Sequence, residues 1–370
     1  MKKIIIKLIV LISAAAHFSS CAGELKEDKT SYPMPLVQRQ LPGGTHLPAG
    51  TLGNYSDYVG MGPLVPGILE GAVPQGMAYW AEEETMIISN YMYNDRPGVL
   101  TLVSMKEMEQ NKTIWLNDND GMPHKGHLGG LAVLGENLWV ASGNHFYSLP
   151  LDLVSETEDN GILTLPPPLR SEVTGSFASN LGEYLMIGEF RNSNRQFQKP
   201  ASHTYKTSGG GFNYALMAAF KTEADTGVLL SERTPGGEVK PEFFLSIPDE
   251  VQGAAFLGNR IILSQSYGRR RPSRLSVYTS PLSGKQAGEP EGKPDDTFTL
   301  EDGSEVPVYF LDYSNLEKVS TLPPMSEGIV DYYGSVAVLF ESGSVKFRRG
   351  AYLPQDRIHL LDPEFLDIYR

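Results

Sequence analysis

Apolar residues in this chain fall into paired short runs, and the pairs recur. A polar or tiny residue, then Gly or Ser, opens one apolar segment; after a tight turn, a second ends in a polar residue. Copies of this unit span residues 75–90, 129–142, 175–189, 252–265 and 327–341. Gly135, Gly182, Gly258 and Gly334 supply the turn in four copies, and Glu82-Glu83-Glu84 stands there in the first. The second segment is apolar at successive positions, as in Leu138-Trp139-Val140 and Ile261-Ile262-Leu263. A strand apolar on both faces must be covered on both, as in stacked sheets.

A third strand is predicted after each pair, for example at residues 99–103 and 358–361. Fourth strands fit at 112–116, 162–165, 243–247 and 319–322. The fifth copy has no fourth strand of its own, while an apolar segment at 63–73 stands unmatched ahead of the first. Each gap fills the other if the units form a ring, because the N-terminal strand then completes the last sheet and few edges stay open. The sequence therefore predicts an all-β, five-bladed β-propeller of four-stranded blades. A six-bladed ring is the main rival, and a solenoid or β-sandwich the plainer alternative. Insertions rich in Gly, Pro and charge fall at 191–213, 222–240 and 283–306.

The 370 residues include 38 Gly and 26 Pro, in keeping with a turn-rich β protein. Net charge is −13, which argues against a nucleic-acid partner, since that role needs a basic face. Lys2, Lys3 and Lys7 flank and interrupt an apolar run over residues 4–16, too short to span a bilayer and typical of an export signal. Phe18-Ser19-Ser20-Cys21 resembles the bacterial lipobox, whose Cys receives lipid after cleavage. The expected organisation is a signal peptide at 1–20, lipidated Cys21 and a flexible tether at 21–60, and one propeller domain at 61–370. Membrane attachment would then run through Cys21 alone; a plain secretory signal with an incidental Cys is the alternative. Ala22 follows the Cys where inner-membrane lipoproteins carry Asp, so the resemblance implies the outer membrane, on its periplasmic or surface face.

In a propeller the innermost strands begin, and the second strands end, on one face of the disc. Aligning the copies gives an inner set, Gln75, Gly129, Gly175, Gln252 and Glu327, and a second set, Asn90, Ser142, Glu189, Gln265 and Glu341. Convergent polar groups at a concave mouth form the expected ligand site. Glu327, Glu189 and Glu341 would be the metal ligands, with Ca²⁺ favoured by an all-oxygen donor set. A metal-free pocket whose acids are neutralised by Arg or Lys is the other filling. His127, ahead of the small Gly129, could lean over the axis as a general acid or base. Arg191 and Arg269 on the loops after the second strands would capture an anion, and Tyr267 would stack on a ring or sugar.

The motifs Pro74-Gln75-Gly76, Gly188-Glu189-Phe190, Ser264-Gln265-Ser266-Tyr267 and Ser326-Glu327-Gly328 resemble a group of uncharacterised bacterial secreted propeller lipoproteins over about residues 63–361. A looser resemblance, in architecture and in Ser-Glu-Gly before an inner strand, is to the calcium-activated nucleotidases (apyrases). It implies axial Ca²⁺, although Gly129 and Gly175 bring no side-chain oxygen. Two functions follow: a module binding a small or polymeric ligand at the mouth, or a Ca²⁺-dependent hydrolase of phosphoryl or other esters. The chain lacks a Gly-x-Ser-x-Gly elbow, a phosphate loop, a dinucleotide fingerprint and a nucleophilic Cys, so binding is the preferred expectation.

Overall fold

The computed structural model describes residues 32–367 except 45, 46, 49, 51, 94, 283–289 and 291. The export signal and Cys21 lie outside the described residues. Five antiparallel sheets begin with the five paired runs: Ala72–Trp80 with Thr85–Met92, Gly130–Leu134 with Asn137–Ser142, Phe177–Leu181 with Tyr184–Gly188, Val251–Leu257 with Arg260–Gln265, and Ser326–Tyr332 with Ser335–Phe340. Each first strand touches the first strands of both neighbouring sheets, and the contacts close from the fifth sheet back to the first. The molecule is a five-bladed β-propeller.

Between successive blades the apolar second strands meet. Met86 and Ile88 of blade one, for instance, pack with Ala337 and Leu339 of blade five. Ile187 of blade three packs with Trp139 and Phe146 of blade two. This burial on both faces is what the unbroken apolar runs require, and no blade could supply it alone.

The ring closes through an N-terminal strand, as expected, but that strand is Val59–Leu64, paired antiparallel with Arg357–Leu361. Its sequence, Val-Gly-Met-Gly-Pro-Leu, carries little apolar pattern. Gly62 is there because a Cβ would lie 2.9 Å from the Ile358 carbonyl oxygen. The apolar residues that followed it in sequence, Val65 and Ile68, instead plug the seam between blades five and one.

Three further expectations change. Gly161–Thr164 does not complete blade two; it pairs in parallel with Gln110–Asn117 on the outer edge of blade one. The Asp159 carboxylate, accepting from Thr113 N at 2.9 Å, holds the chain there, and blade two keeps three strands. The 283–306 insertion contributes Asp296–Thr299 and the start of Glu305–Phe310, which extend blade three to six strands. Finally, residues 32–44, expected in the tether, lie against the domain. Leu36 is buried with Ala72, Val99 and Trp115, Leu41 joins the seam below, and Leu41 N donates to Asp356 at 2.7 Å.

Candidate functional site

The inner strands approach so closely at their entry ends that side chains are excluded. A Cβ on Gly76 would lie 2.6 Å from the Gly130 Cα, and one on Gly130 would lie 2.0 Å from Ala178 N. This steric demand explains why a glycine or tiny residue opens each repeat. Just above that collar the axis widens into a cavity of about 790 Å³.

Strand register shows which residues face it. In the fourth and fifth blades Val251 pairs with Gln265, and Ser326 with Phe340. Glu341 is therefore equivalent to Ser266, not to Gln265. Extending the register around the ring makes Tyr91, Gly143, Phe190, Ser266 and Glu341 one set, and all five line the cavity. The matching inner set is Gln75, Gly129, Ser176, Gln252 and Glu327, of which all but Gly129 line it.

Asn90, Ser142, Glu189 and Gln265, assigned to the mouth from sequence, stand one residue earlier and so point to the other face of their blades. Each is buried and committed elsewhere. Asn90 Nδ2 donates to the Ile88 carbonyl at 3.3 Å. Gln265 Nε2 donates to the Asp249 carbonyl at 2.8 Å and its Oε1 accepts from Ser276 at 2.7 Å. Glu189 accepts from Leu216 N at 3.1 Å and holds His203 Nδ1 at 2.9 Å, while Lys199, which does line the cavity, is 3.9 Å away. Glu189 thus sits one side chain behind the wall, and the three glutamates expected to share a metal do not converge.

Ser142 Oγ lies 3.0 Å from His124 Nε2, and His124 Nδ1 lies 2.6 Å from Asp118. The order matches the relay of a serine hydrolase. Here, however, Ser142 and His124 are buried, Ser142 does not line the cavity, and a Cβ on Gly126 would sit 2.5 Å from its hydroxyl. The chain of bonds fastens the loop entering blade two. Ser142→Ala is expected to cost about 1 kcal/mol, the worth of a typical buried hydrogen bond, in chemical denaturation.

On the cavity floor Glu327 and Glu341 hydrogen-bond to each other. Gln75 Nε2 donates to Glu341 at 3.0 Å and Gln252 Nε2 to Glu327 at 3.3 Å. Burial and the facing carboxylate push Glu327 far above the usual range. Burial raises Glu341 to about 7, against the opposing pull of Gln75, Glu327, Lys346 and Arg269. Two carboxyl groups this close cannot both ionise cheaply, so the pair shares a proton near neutrality. Two residues ahead of the polar side chain, Met325 and Glu250 both adopt left-handed backbone at φ 66°, and their carbonyls accept from Glu341 N and Ser266 N. That sharp entry sets Glu327 and Gln252 toward the axis.

The fit of a calcium ion can be judged from these donors. Ca²⁺ takes six to eight oxygens, whereas two carboxyl groups meet here, each approached by an amide N–H, and the charges of Lys346 and Arg269 act on Glu341. No group of three His, Cys, Asp or Glu suited to a metal occurs among the described residues. The arrangement suits a proton better than a dication.

The walls are basic and aromatic. Lys346 Nζ donates to the Tyr91 hydroxyl at 2.7 Å and lies 4.5 Å from that ring's centre. His127 faces the cavity and stacks 5.0 Å from Tyr91. The ring is exposed to the cavity, and loss of part of its hydration together with the charge of Lys346 pushes its pKa down. His127, expected as a general acid or base, stands on the cavity wall. Arg269 and Tyr267 line the cavity as expected, with Arg269 stacked 5.1 Å over Phe347. Arg191 does not line it; its guanidinium is bonded to Asp249 and Gln198 and lies 4.1 Å over Tyr214.

Lys346, Phe347, Lys199 and Phe197 were not singled out from sequence. Lys346 and Phe347 follow the last second strand as Tyr267 and Arg269 follow the fourth, so the same loop logic applied to the fifth copy would have found them.

No family model matches the chain, and no curated protein sequence matches it. Among solved structures it is similar to a glutaminyl cyclase of Myxococcus xanthus, at 10% identity and TM-score 0.38, over 82% of this chain and 96% of that one. It is also similar to BamB of Moraxella catarrhalis, at 8% identity and TM-score 0.31, over 79% and 83% of the two chains. AztD of Citrobacter koseri matches at 12% identity and TM-score 0.29, over 72% and 56%. These likenesses concern architecture; the chemistry rests on the residues above.

Proposed function

We propose that the protein is an exported, lipid-anchored binding module whose axial cavity holds a small polar molecule, or the end of a polar polymer, with a ring to stack. The carrying observation is the juxtaposition across one cavity of about 790 Å³. Phe190, Tyr267 and Phe347 offer apolar ring faces, while Gln75, Gln252 and the Glu327–Glu341 pair offer hydrogen-bond donors and acceptors. A sugar ring has this division, with C–H faces and a hydroxyl rim, and the shared proton lets the floor both donate and accept. Lys346 and Arg269 neutralise the remaining carboxylate, so the reading needs no calcium.

The test is thermal unfolding against a panel of mono- and disaccharides, since ligand at about a hundred times Kd adds about 2.7 kcal/mol of stability. At least one sugar is expected to raise Tm, and Glu327→Gln to remove that rise. A panel without effect contradicts the reading. The attachment is tested separately: Cys21→Ser should move the protein from the membrane to the soluble fraction.

Hydrolysis is the second reading, favoured by the Glu341 carboxyl poised at about 7, where a general acid or base works well at neutral pH. Turnover of nitrophenyl phosphate, ester or glycoside by the parent but not by Glu341→Gln, with or without added Ca²⁺, would select it.

A further inference from the structure

A second hollow of about 520 Å³ adjoins the axial cavity, sharing Tyr91 and His127 with it as a partition. Its other walls include Tyr93, Asp95, Arg96, Gly98, Lys125 and Gly126, at the seam of blades one and two. Three basic side chains, Arg96, Lys125 and Lys346, face the space against one carboxylate, Asp95. None of the three basic groups forms an ion pair among the described residues. Arg96 reaches only the Glu70 carbonyl, at 3.5 Å, and its Nε is buried with no hydrogen-bond partner among the described residues. Lys346 bonds a neutral phenol, and Lys125 is exposed.

On a chain of net charge −13, acids are plentiful, so three cations set against the single carboxylate of Asp95 in one hollow leave positive charge for another anion. A guanidinium with an unused N–H beside two ammonium groups matches the several acceptor oxygens of an oxyanion. We infer that this side pocket is an oxyanion site taking one phosphate, sulfate or carboxylate group. The inference does not depend on what the axial cavity holds. It does couple the two spaces, because Lys346 lines the side pocket and its charge also acts on Glu341 on the axial floor: negative charge in the side pocket competes with Glu341 for Lys346 and raises the affinity of the carboxyl pair for its proton.

Calorimetric titration with inorganic phosphate, sulfate and acetate, at constant ionic strength against chloride, tests the site. One anion per chain is expected to bind. Lys125→Glu, on an exposed side chain that leaves the fold intact, should weaken it at least tenfold, and Lys346→Met should weaken it as well. Arg233→Glu, on the blade-three insertion, should not. Preference for phosphate and sulfate identifies a tetrahedral group, and preference for acetate a carboxylate; either supports the site. Heats no larger than those of chloride, or equal binding by parent, Lys125→Glu and Lys346→Met, overturn it. Sugar binding in the axial cavity should survive Lys125→Glu, so the two proposals fail separately.

Discussion

His203→Gln is expected to destabilise the protein by about 3 kcal/mol, the usual cost of removing one partner from a buried ion pair. His203 has no exposed surface and bridges Glu189 at 2.9 Å and Glu172 at 3.5 Å. Burial alone would lower its pKa, but the bonds and charges of the two carboxylates outweigh it and raise the value to about 9. A pKa raised on folding means stability that is fully present below about 6.5, the unfolded value, and is lost as pH climbs through 9. The parent should therefore lose about 3 kcal/mol between pH 6.5 and 9.5 from this group, as read by denaturant titration. His203→Gln should start lower and lack that loss. Glu189→Gln added to His203→Gln should recover much of the deficit, because the buried carboxylate that has lost its imidazolium is then gone. A single variant as stable as the parent would mean that His203 does not hold Glu189.

Glu327→Gln should do the opposite at neutral pH. The folded protein keeps a proton on the Glu327–Glu341 pair that the unfolded chain releases near 4.5. Stability from the pair is thus greatest below that value and falls as pH rises through about 7, by about 3 kcal/mol for Glu341. The amide keeps the shape of Glu327 and can donate to Glu341 without a titrating proton. The variant is therefore expected to be folded and more stable than the parent at pH 8, while keeping the fall in stability near pH 7, because burial and not Glu327 raises Glu341. The same change removes the acid from the floor, so sugar binding should be lost while stability is gained. Gain in one property with loss in the other is typical of a site strained for function, and damage to the fold cannot produce it.

The ring was legible because each blade needs its neighbours. The unbroken apolar second strands, the small residue at each entry and the missing last strand all follow from radial stacking, and all are visible in the chain. The Val59–Leu64 closing strand was less visible, since close packing on Ile358 had replaced pattern with glycine. Outer strands were misassigned where position is set by a single tether, such as Asp159 on Thr113, rather than by periodicity.

For the site, the inner positions survive nearly intact: Gln75, Gln252 and Glu327 meet on the axis. The second set was displaced by one residue in four blades, and in a strand one residue reverses the face. Polarity could not reveal the slip, because the residues facing away, Ser142 with His124 and Glu189 with His203, are as polar as those facing in. The distance from inner residue to second-set residue could have. It is 14 residues from Gly129 to Gly143, from Ser176 to Phe190, from Gln252 to Ser266 and from Glu327 to Glu341. From Gln75 to Tyr91 it is 16, because the first hairpin has two extra turn residues.

The proton shared by Glu327 and Glu341 is the centre of this account, and carbon NMR of protein labelled at the glutamate carboxyl carbons reads it directly. Across pH 4 to 9, a resonance that stays protonated past pH 6, titrates near 7 and vanishes in Glu341→Gln is the expected result. If every glutamate carboxyl in the parent ionises below about pH 5, in the ordinary range, the axial floor is a pair of independent carboxylates and the account is wrong.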